Sequence, residues 1–383
     1  MIDINERQKI TEPKLEELVV NFDEIINQDY TLAKYQAYNA FSKLSELIIH
    51  ISNIPLFLLY TLFVNCTDLK KLKIYFITDK SRQINNKNID ILNDMCPIII
   101  YNMKNLESFS LVDFPIKNNK LKDLGEILKI SKLKHLSLIN CFQKKDAISP
   151  LVPYLTNQNT TLTGIDLSNH NCNILSSLNN TLLNYDINKK LTSISFCNCK
   201  LTDDDIIHIS NYIVASQNLL FCDISKNIIS TKACSQFGYC IPKSVSLETI
   251  KMSECGITPE SLLFLFNGKG SKCLKNVIIN GNDFGDIGLV SVSAFIKSSP
   301  LLETIEVKKC KGTDMGFITL VNSIRILPNS KLKMVNYQDN NITQTSLGIL
   351  RGSNEVFKNK GIVFKLNKIE GESNVGIDCA VFG

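Results

Sequence analysis

The sequence predicts an α/β solenoid: a horseshoe in which short parallel strands line the concave face and helices the convex face. Three observations predict it. The pattern L-x-x-L-x-L, with any apolar residue at the later positions, begins at Leu44, Leu69, Leu106, Leu133, Leu162, Leu191, Leu219, Leu247, Leu274, Leu302 and Leu332. The intervals are 25, 37, 27, 29, 29, 28, 28, 27, 28 and 30 residues, and a fixed period of this size marks a stacked repeat array. Each match is followed by a turn and a stretch of helical periodicity. Both ends of the chain depart from the pattern, as terminal repeats must where an open array would expose its core.

Each element has a local cause. Alternation around the fourth and sixth positions makes a short strand with those side chains on one face. A turn follows, and its backbone groups need partners. "LLFCDISKNII" from Leu219 carries Asn227 at the turn, "LKNVIINGNDF" carries Asn282 and "LKMVNYQDNNI" carries Asn340. A buried Asn amide both donates and accepts, so it suits such a turn. Cys141, Cys199, Cys255 and Cys310 take the same place in other repeats, and His170 takes it once. Cys255 in "SLETIKMSECGITPESL" is therefore read as a packing position, although Glu248, Glu254 and Glu260 surround it. Thr258 and Pro259 then form a helix start. Ile206, Ile209, Ile213 and Val214 share one helical face, with His208 off it, and Ile287, Val290, Ala294 and Phe295 recur at helical spacing before Pro300. Strand plus full helix within 28–29 residues closes the horseshoe geometry.

Residues 1–40 read as an N-terminal helical cap, because Leu15, Leu18, Val19, Phe22 and Ile25 fit one face. Residues 41–352 read as the array. Residues 353–383 read as a C-terminal cap, with a last strand at Ile362–Leu366 and a loose tail. "TDKSRQINNKNI" at 78–89 reads as an inserted loop. "IPLFLLYTLFV" at 54–64 has eleven apolar-rich residues, about half of what a spanning helix needs, so it reads as a buried helix.

Composition narrows the function. Hydrophobic residues are 44% of the 383, enough for a large core, and net charge is +5 from 42 basic and 37 acidic residues. The basic residues are scattered Lys apart from Arg7, Arg82, Arg325 and Arg351. That argues against nucleic acid as a partner, since its readers cluster basic residues and favour the Arg fork. The charged N-terminus has no apolar signal region, and no transmembrane segment is predicted, so the chain reads as cytoplasmic. The 13 Cys, an odd number without a CxxC pair, read as free thiols. Cys197 and Cys199 should point to opposite faces and cannot share a metal. No phosphate-binding or dinucleotide fingerprint occurs. The sequence therefore predicts no catalytic residue, no cofactor and no metal, and a protein as the partner.

The concave face should carry the strand positions between the buried ones, among them Lys71, Lys73, Tyr75, His135, Ser137, Asp166, Phe221, Asp223 and Lys251. His135, Ser137 and Asp166 are the residue types of a hydrolytic triad. No nucleophile elbow precedes Ser137, and the three read as a polar face.

Residues 41–352 resemble the ribonuclease-inhibitor-like leucine-rich-repeat superfamily. "LVPYLTNQNTTLTGIDLSNHNC" and "SLETIKMSECGITPESLLFLF" are similar to the helix-strand-turn units of the CARMIL family of actin regulators. That resemblance implies a cytoplasmic scaffold at the cell cortex, linking membrane and actin assembly. Of that family's parts, the repeat domain is the one with a counterpart in these residues, so the scaffold role is what carries over. A second resemblance is to Ran-type GTPase-activating proteins, crescents of similar size. There an Arg in a long loop after the second strand and an Asn after the fourth strand serve a small GTPase. The matching positions are Arg82 and Asn140. Arg82 reads otherwise as a solvated loop residue and Asn140 as a turn residue.

Overall fold

Strand follows strand in chain order across one parallel sheet. The computed structural model describes residues 17–21, 45–51, 68–76, 86–142, 144–155, 160–170, 175, 183–184, 189–328, 330–368 and 377–382. Among these, fourteen strands pair from first to last in sequence order, every pair parallel. They are β1 (Glu17–Asn21), β2 (Glu46–Ile51), β3 (Lys71–Phe76), β4 (Ser108–Val112), β5 (His135–Ile139), β6 (Gly164–Asp166) and β7 (Ser193–Ser195). The second half has β8 (Phe221–Asp223), β9 (Thr249–Lys251), β10 (Asn276–Ile278), β11 (Thr304–Glu306), β12 (Met334–Asn336), β13 (Val363–Leu366) and β14 (Ala380–Phe382).

Helices return the chain between strands: α1 (Asn86–Asn102), α2 (Asn118–Leu128), α3 (Val152–Leu155), α4 (Asp203–Ala215), α5 (Thr231–Cys240) and α6 (Pro259–Leu265). They continue with α7 (Gly285–Ser298), α8 (Asp314–Arg325), α9 (Gln344–Arg351) and α10 (Asn354–Lys360). One core runs between sheet and helices along the array. In a typical repeat Leu247, Ile250 and Met252 are buried, while Thr249 and Lys251 between them are half-exposed.

Helix starts are tied across repeats. Thr202 caps α4 in a capping box with Asp205, and Thr258 caps α6 with Pro259 in its first turn. Asp286 accepts from the Thr313 amide at 2.7 Å, and Asp314 from the Thr343 amide at 2.8 Å. Each carboxylate thus steadies the helix start of the next repeat. α5 and α6 approach so closely at Gly238 that a Cβ there would lie 2.0 Å from the Phe264 carbonyl oxygen.

The structure corrects four readings. The helix read across residues 15–25 gives way at Glu17–Asn21 to a strand, with Leu18 beside Leu47 and Val19 beside Ile48. Five residues fit either period, and the free edge of β2 offers backbone partners to an extended Val-Val pair. The insertion at 78–89 is helical from Asn86 onward, as the start of α1. The tail after β13 returns as β14, with Phe364 beside Ala380, because Ile377 and Cys379 find burial against the last turn. In α7 the residues facing inward include Leu289, Val292, Phe295 and Ile296, whereas Ile287 and Val290 face outward. The apolar run 54–64 and the remainder of residues 1–40 lie outside the described residues.

The turn position alternates strictly through the middle of the array: Cys141, His170, Cys199, Asn227, Cys255, Asn282, Cys310, Asn340. The alternation has a geometric cause. Asn227 Oδ1 accepts from the amides of Cys199 (2.9 Å) and Leu201 (3.1 Å), one repeat earlier. Its Nδ2 donates to the carbonyls of Phe196 and Ile224, both at 2.9 Å. Asn282 and Asn340 repeat the arrangement on Cys255 and Cys310. Each Asn closes two turns, so the repeat between needs only a small side chain, and Cys fills it. The Cys255 and Cys310 thiols donate to carbonyls at 3.3–3.5 Å. Burial pushes both up to about 12, so they stay protonated and unreactive. The eleven cysteines among the described residues are all free. Thiol titration in denaturant without reductant is expected to count thirteen, and eleven or fewer in fresh protein would contradict the free-thiol reading.

Candidate functional site: the concave sheet face

The concave face is built by the residues between the buried strand positions. Register places them in two rows. One runs Ser108, His135, Gly164, Ser193, Phe221, Thr249, Asn276, Thr304 and Met334; the other runs Ser110, Ser137, Asp166, Ser195, Asp223, Lys251, Ile278, Glu306 and Asn336. Lys71 and His135 are exposed, and Lys73, Tyr75, Ser137, Asp166, Phe221, Asp223 and Lys251 are half-exposed. All nine predicted binding residues therefore reach the surface. They do not form one compact site, since β3 and β9 lie six strands apart.

Two amphipathic pairs stand out on this face. The Lys73 ammonium lies 4.7 Å from the Tyr75 ring centre, and the Lys251 ammonium 5.2 Å from that of Phe221. Each couples a cation to an aromatic face. Lys71 is paired with Glu46 at 3.0 Å.

The triad residue types do not converge. Ser137 and Asp166 are register partners, but the His135 imidazole lies over Gly164, where a Cβ would meet Nδ1 at 2.0 Å. Asp166 instead accepts from the Ser168 hydroxyl at 2.5 Å and the Ser168 amide at 3.0 Å. Ser168 Oγ in turn contacts Ser195 Oγ at 2.8 Å and accepts from the Cys197 amide at 3.1 Å. Burial raises the Asp166 carboxyl, and its serine hydrogen bonds oppose that. Burial and then Lys134 lower the His135 imidazole. The network holds the face in shape and supplies no activated nucleophile.

Sequence reasoning missed the centrality of Ser168. The available signal was the repeated Asp-x-Ser of 166–168 and 223–225. In both, the carboxylate accepts from the serine amide two residues on, at 3.0 and 2.9 Å, and the serine hydroxyl accepts from the next repeat.

Asn140 sits in the turn after β5 with φ 51°, and its amide donates to Asp113 Oδ1 at 2.7 Å. Asp113, Asn169, Asn198, Lys226, Glu254 and Asp339 hold matching left-handed positions in neighbouring repeats. Asn tolerates that conformation better than most residues, which accounts for it here as a turn residue. Arg82 lies outside the described residues.

Shallow clefts occur on the two rims. One of about 430 Å³ has Lys70, Glu107, Lys132 and Lys134 among its lining, and another of about 650 Å³ has Glu254, Asp283, Lys308 and Asp339. Charges largely pair within them, as in Lys134–Glu107 at 3.1 Å and Lys308–Asp339 at 3.2 Å. Among the described residues, no group of three His, Cys, Asp or Glu side chains could hold a metal. No helix among them is long and apolar enough to cross a membrane.

Period, register, the Asn and Cys turn position and the strand-helix alternation decide the fold together. The chain is a leucine-rich-repeat solenoid. No family model matches it, and no curated protein does either. A solved TLR13–ssRNA13 complex is similar over 86% of this chain and 44% of that one, with 13% identity and a TM-score of 0.43. The solenoid described here thus spans less than half of that protein's length.

Proposed function

We propose that this chain is a non-enzymatic scaffold that binds a protein partner on its concave sheet face. One observation carries the reading. Parallel sheets are ordinarily covered on both faces, yet here the helices cover one face, and on the other every strand from β3 to β12 keeps at least one half-exposed or exposed residue, although Ser110, Gly164, Ser195 and Asn336 are buried. A rigid open face of that kind suits a broad protein surface better than a small molecule, which needs a deep concavity. The Phe221–Lys251 pair near the middle is the proposed anchor, since interface energy concentrates in a few aromatic and cationic side chains. The resemblance of 151–172 and 246–266 to CARMIL repeats makes cortical actin regulators the first partners to try.

The test is affinity capture from the native cell, followed by binding measurements on each recovered partner. Phe221→Ala with Lys251→Ala is expected to weaken the true partner by at least about tenfold. Lys122→Ala on the convex side is expected to leave it unchanged. A partner held equally by both variants would remove the concave face from consideration. The same preparation is expected to leave single-turnover GTP hydrolysis by Ran-type GTPases unaffected. Acceleration of roughly 10³-fold or more that disappears in Asn140→Ala or Arg82→Ala would overturn the scaffold reading in favour of a GTPase activator.

A further inference from the structure

Charge is spread unevenly along the rim where the strands begin. Backbone bonds tie together the residues that stand just before the strands. The Glu107 amide donates to the Lys70 carbonyl at 2.8 Å, Lys134 to Glu107 at 2.7 Å and Thr163 to Lys134 at 2.8 Å. The side chains of this row therefore stand side by side at the strand spacing, about 4.8 Å. Further along the array the row is neutralised in pairs, Lys275 on Glu248 and Lys333 on Glu303, both at 2.6 Å. From β3 to β6 it is not.

The cleft of about 430 Å³ on this rim is lined by Lys70, Lys132 and Lys134. Glu107 is the acidic side chain of its lining, and Lys134 holds it at 3.1 Å. Lys70 and Lys132 are exposed and have no carboxylate partner among the described residues. At the margins Lys71 and Lys104 balance Glu46 and Asp68 in number, so two positive charges in the cleft stand uncancelled. Lysine in the last turn of a helix is accounted for by the helix dipole. Lys132 and Lys134, however, stand four and six residues beyond Leu128, the end of α2, past the reach of that dipole.

The chemistry of the cleft selects among anions. Phosphate is ordinarily gathered by Arg forks or by free backbone N–H groups. Here the N–H groups of the row are spent on the backbone ladder. The Thr161 hydroxyl donates to the Leu133 carbonyl at 2.6 Å, and the Thr163 hydroxyl to the Lys134 carbonyl at 3.4 Å. What remains is two separate point charges. Lys70 and Lys132 lie two strands apart and two residues out of line, roughly 12 Å between their backbones. In an extended chain, side chains four residues apart share a face and lie about 13 Å apart. Two carboxylates at that spacing reach one ammonium each, and hydroxyl side chains between them can donate to Glu107. Asp166 and Asp223 stand at the far ends of β6 and β8, where they repel such a segment and confine it to the rim.

We infer that this cleft takes an acidic segment of the protein partner, with carboxylates four residues apart, through Lys70 and Lys132. The inference rests on the scaffold reading and deepens it: the central Phe221–Lys251 pair anchors the partner, and the rim cleft sets its direction along the array. Exposed charge pairing of this kind contributes specificity and speed of association more than affinity.

Titration of the full chain with the synthetic peptide acetyl-Gly-Ser-Glu-Ser-Gly-Ser-Glu-Ser-Gly-amide tests it. The expected dissociation constant at low salt is on the order of 1 mM, and it should rise steeply as salt is added. The same peptide with Gln for both Glu residues is expected to bind about tenfold more weakly, and so is the Glu peptide to the Lys70→Gln, Lys132→Gln variant. Both lysines are exposed, so circular dichroism should show an unchanged fold. Lys272→Gln with Lys331→Gln removes the same charge from the other end of the rim and should leave the peptide's affinity unchanged. Phe221→Ala with Lys251→Ala should also leave it unchanged while weakening the whole partner, so the cleft and the central anchor fail separately. No binding up to about 10 mM peptide, equal affinity for the Gln peptide, or equal losses in the two lysine pairs would overturn the proposal. So would inorganic tripolyphosphate or phosphatidylglycerol vesicles held more tightly than the peptide through Lys70 and Lys132, since that outcome would assign the cleft to phosphate.

Discussion

Replacing Asn282 with alanine is expected to lower the free energy of unfolding by about 3 kcal/mol. The residue is fully buried. Its Oδ1 accepts from the amides of Cys255 at 2.8 Å and Ile257 at 3.1 Å, and its Nδ2 donates to the carbonyls of Met252 at 2.9 Å and Ile279 at 2.8 Å. Alanine leaves these two donors and two acceptors in a dry interior, and unpaired buried groups are costly. The alternation sharpens the expectation. Asn282→Cys should cost nearly as much, although cysteine occupies the same place in the repeats on either side. A thiol is too weak an acceptor to serve both amides, and Cys255 is tolerated only because Asn282 serves its amide. Urea unfolding gives the magnitude, and hydrogen exchange at the Cys255 and Ile257 amides gives the location. An unchanged midpoint in either variant would show that the turns close without this side chain.

Acidification is expected to destabilise the array through His170. The ring is fully buried and stacked on Phe142, with ring centres 5.1 Å apart. Its Nε2 accepts from the Cys141 amide at 3.0 Å, and Nδ1 lies 2.8 Å from the Leu167 carbonyl, to which it donates in the neutral tautomer. A second proton on Nε2 would face the Cys141 N–H. Burial therefore pushes the imidazole down to about 4, against the opposing bond to Leu167. In the unfolded chain the group titrates near 6.5. Between these values the unfolded state holds a proton that the folded state refuses, so stability is full above about pH 6.5 and falls as pH drops towards about 4. The total is about 3 kcal/mol. Carboxylates titrate near the bottom of this window too, so the informative quantity is the difference from His170→Asn. Asparagine can accept from Cys141 as Asn227 does from Cys199, and it does not titrate. The variant should match wild type at pH 7.5 or above and exceed it by a widening margin as pH falls. Parallel pH profiles would rule out His170 as the source.

Both expectations start from positions that the sequence singles out, but the reasons lie elsewhere in the chain. The spacing of Leu247, Ile250 and Met252, repeated at intervals near 28, suffices for the strand, its buried side and the parallel order, because a short crossover helix leaves no other way to stack. Thr258 before Pro259 suffices for the start of α6. The concave residues were legible from alternation alone, since a strand sends neighbouring side chains to opposite faces. The use made of them was not. Ser168 became central because register brings Ser195 and the Cys197 amide to it from 27 and 29 residues away, and His135 turned from Asp166 because its register partner is Gly164.

By itself the sequence determined the repeat, the solenoid and the set of turn residues, all of which depend on local pattern and period. Tertiary structure decided which turn each residue serves and which side of a helix is inside. Asn282 reads as closing its own turn, yet it also closes that of the repeat before, because stacked strands place its amide against Cys255. In α7, Ile287, Val290 and Ala294 fit a helical stripe as well as Leu289, Val292 and Ile296 do. Periodicity cannot choose between two apolar stripes on one helix. The strand and turn leading into α7 fix its rotation about its own axis, and that rotation buries Leu289 and Val292 while leaving Ile287 and Val290 to the surface.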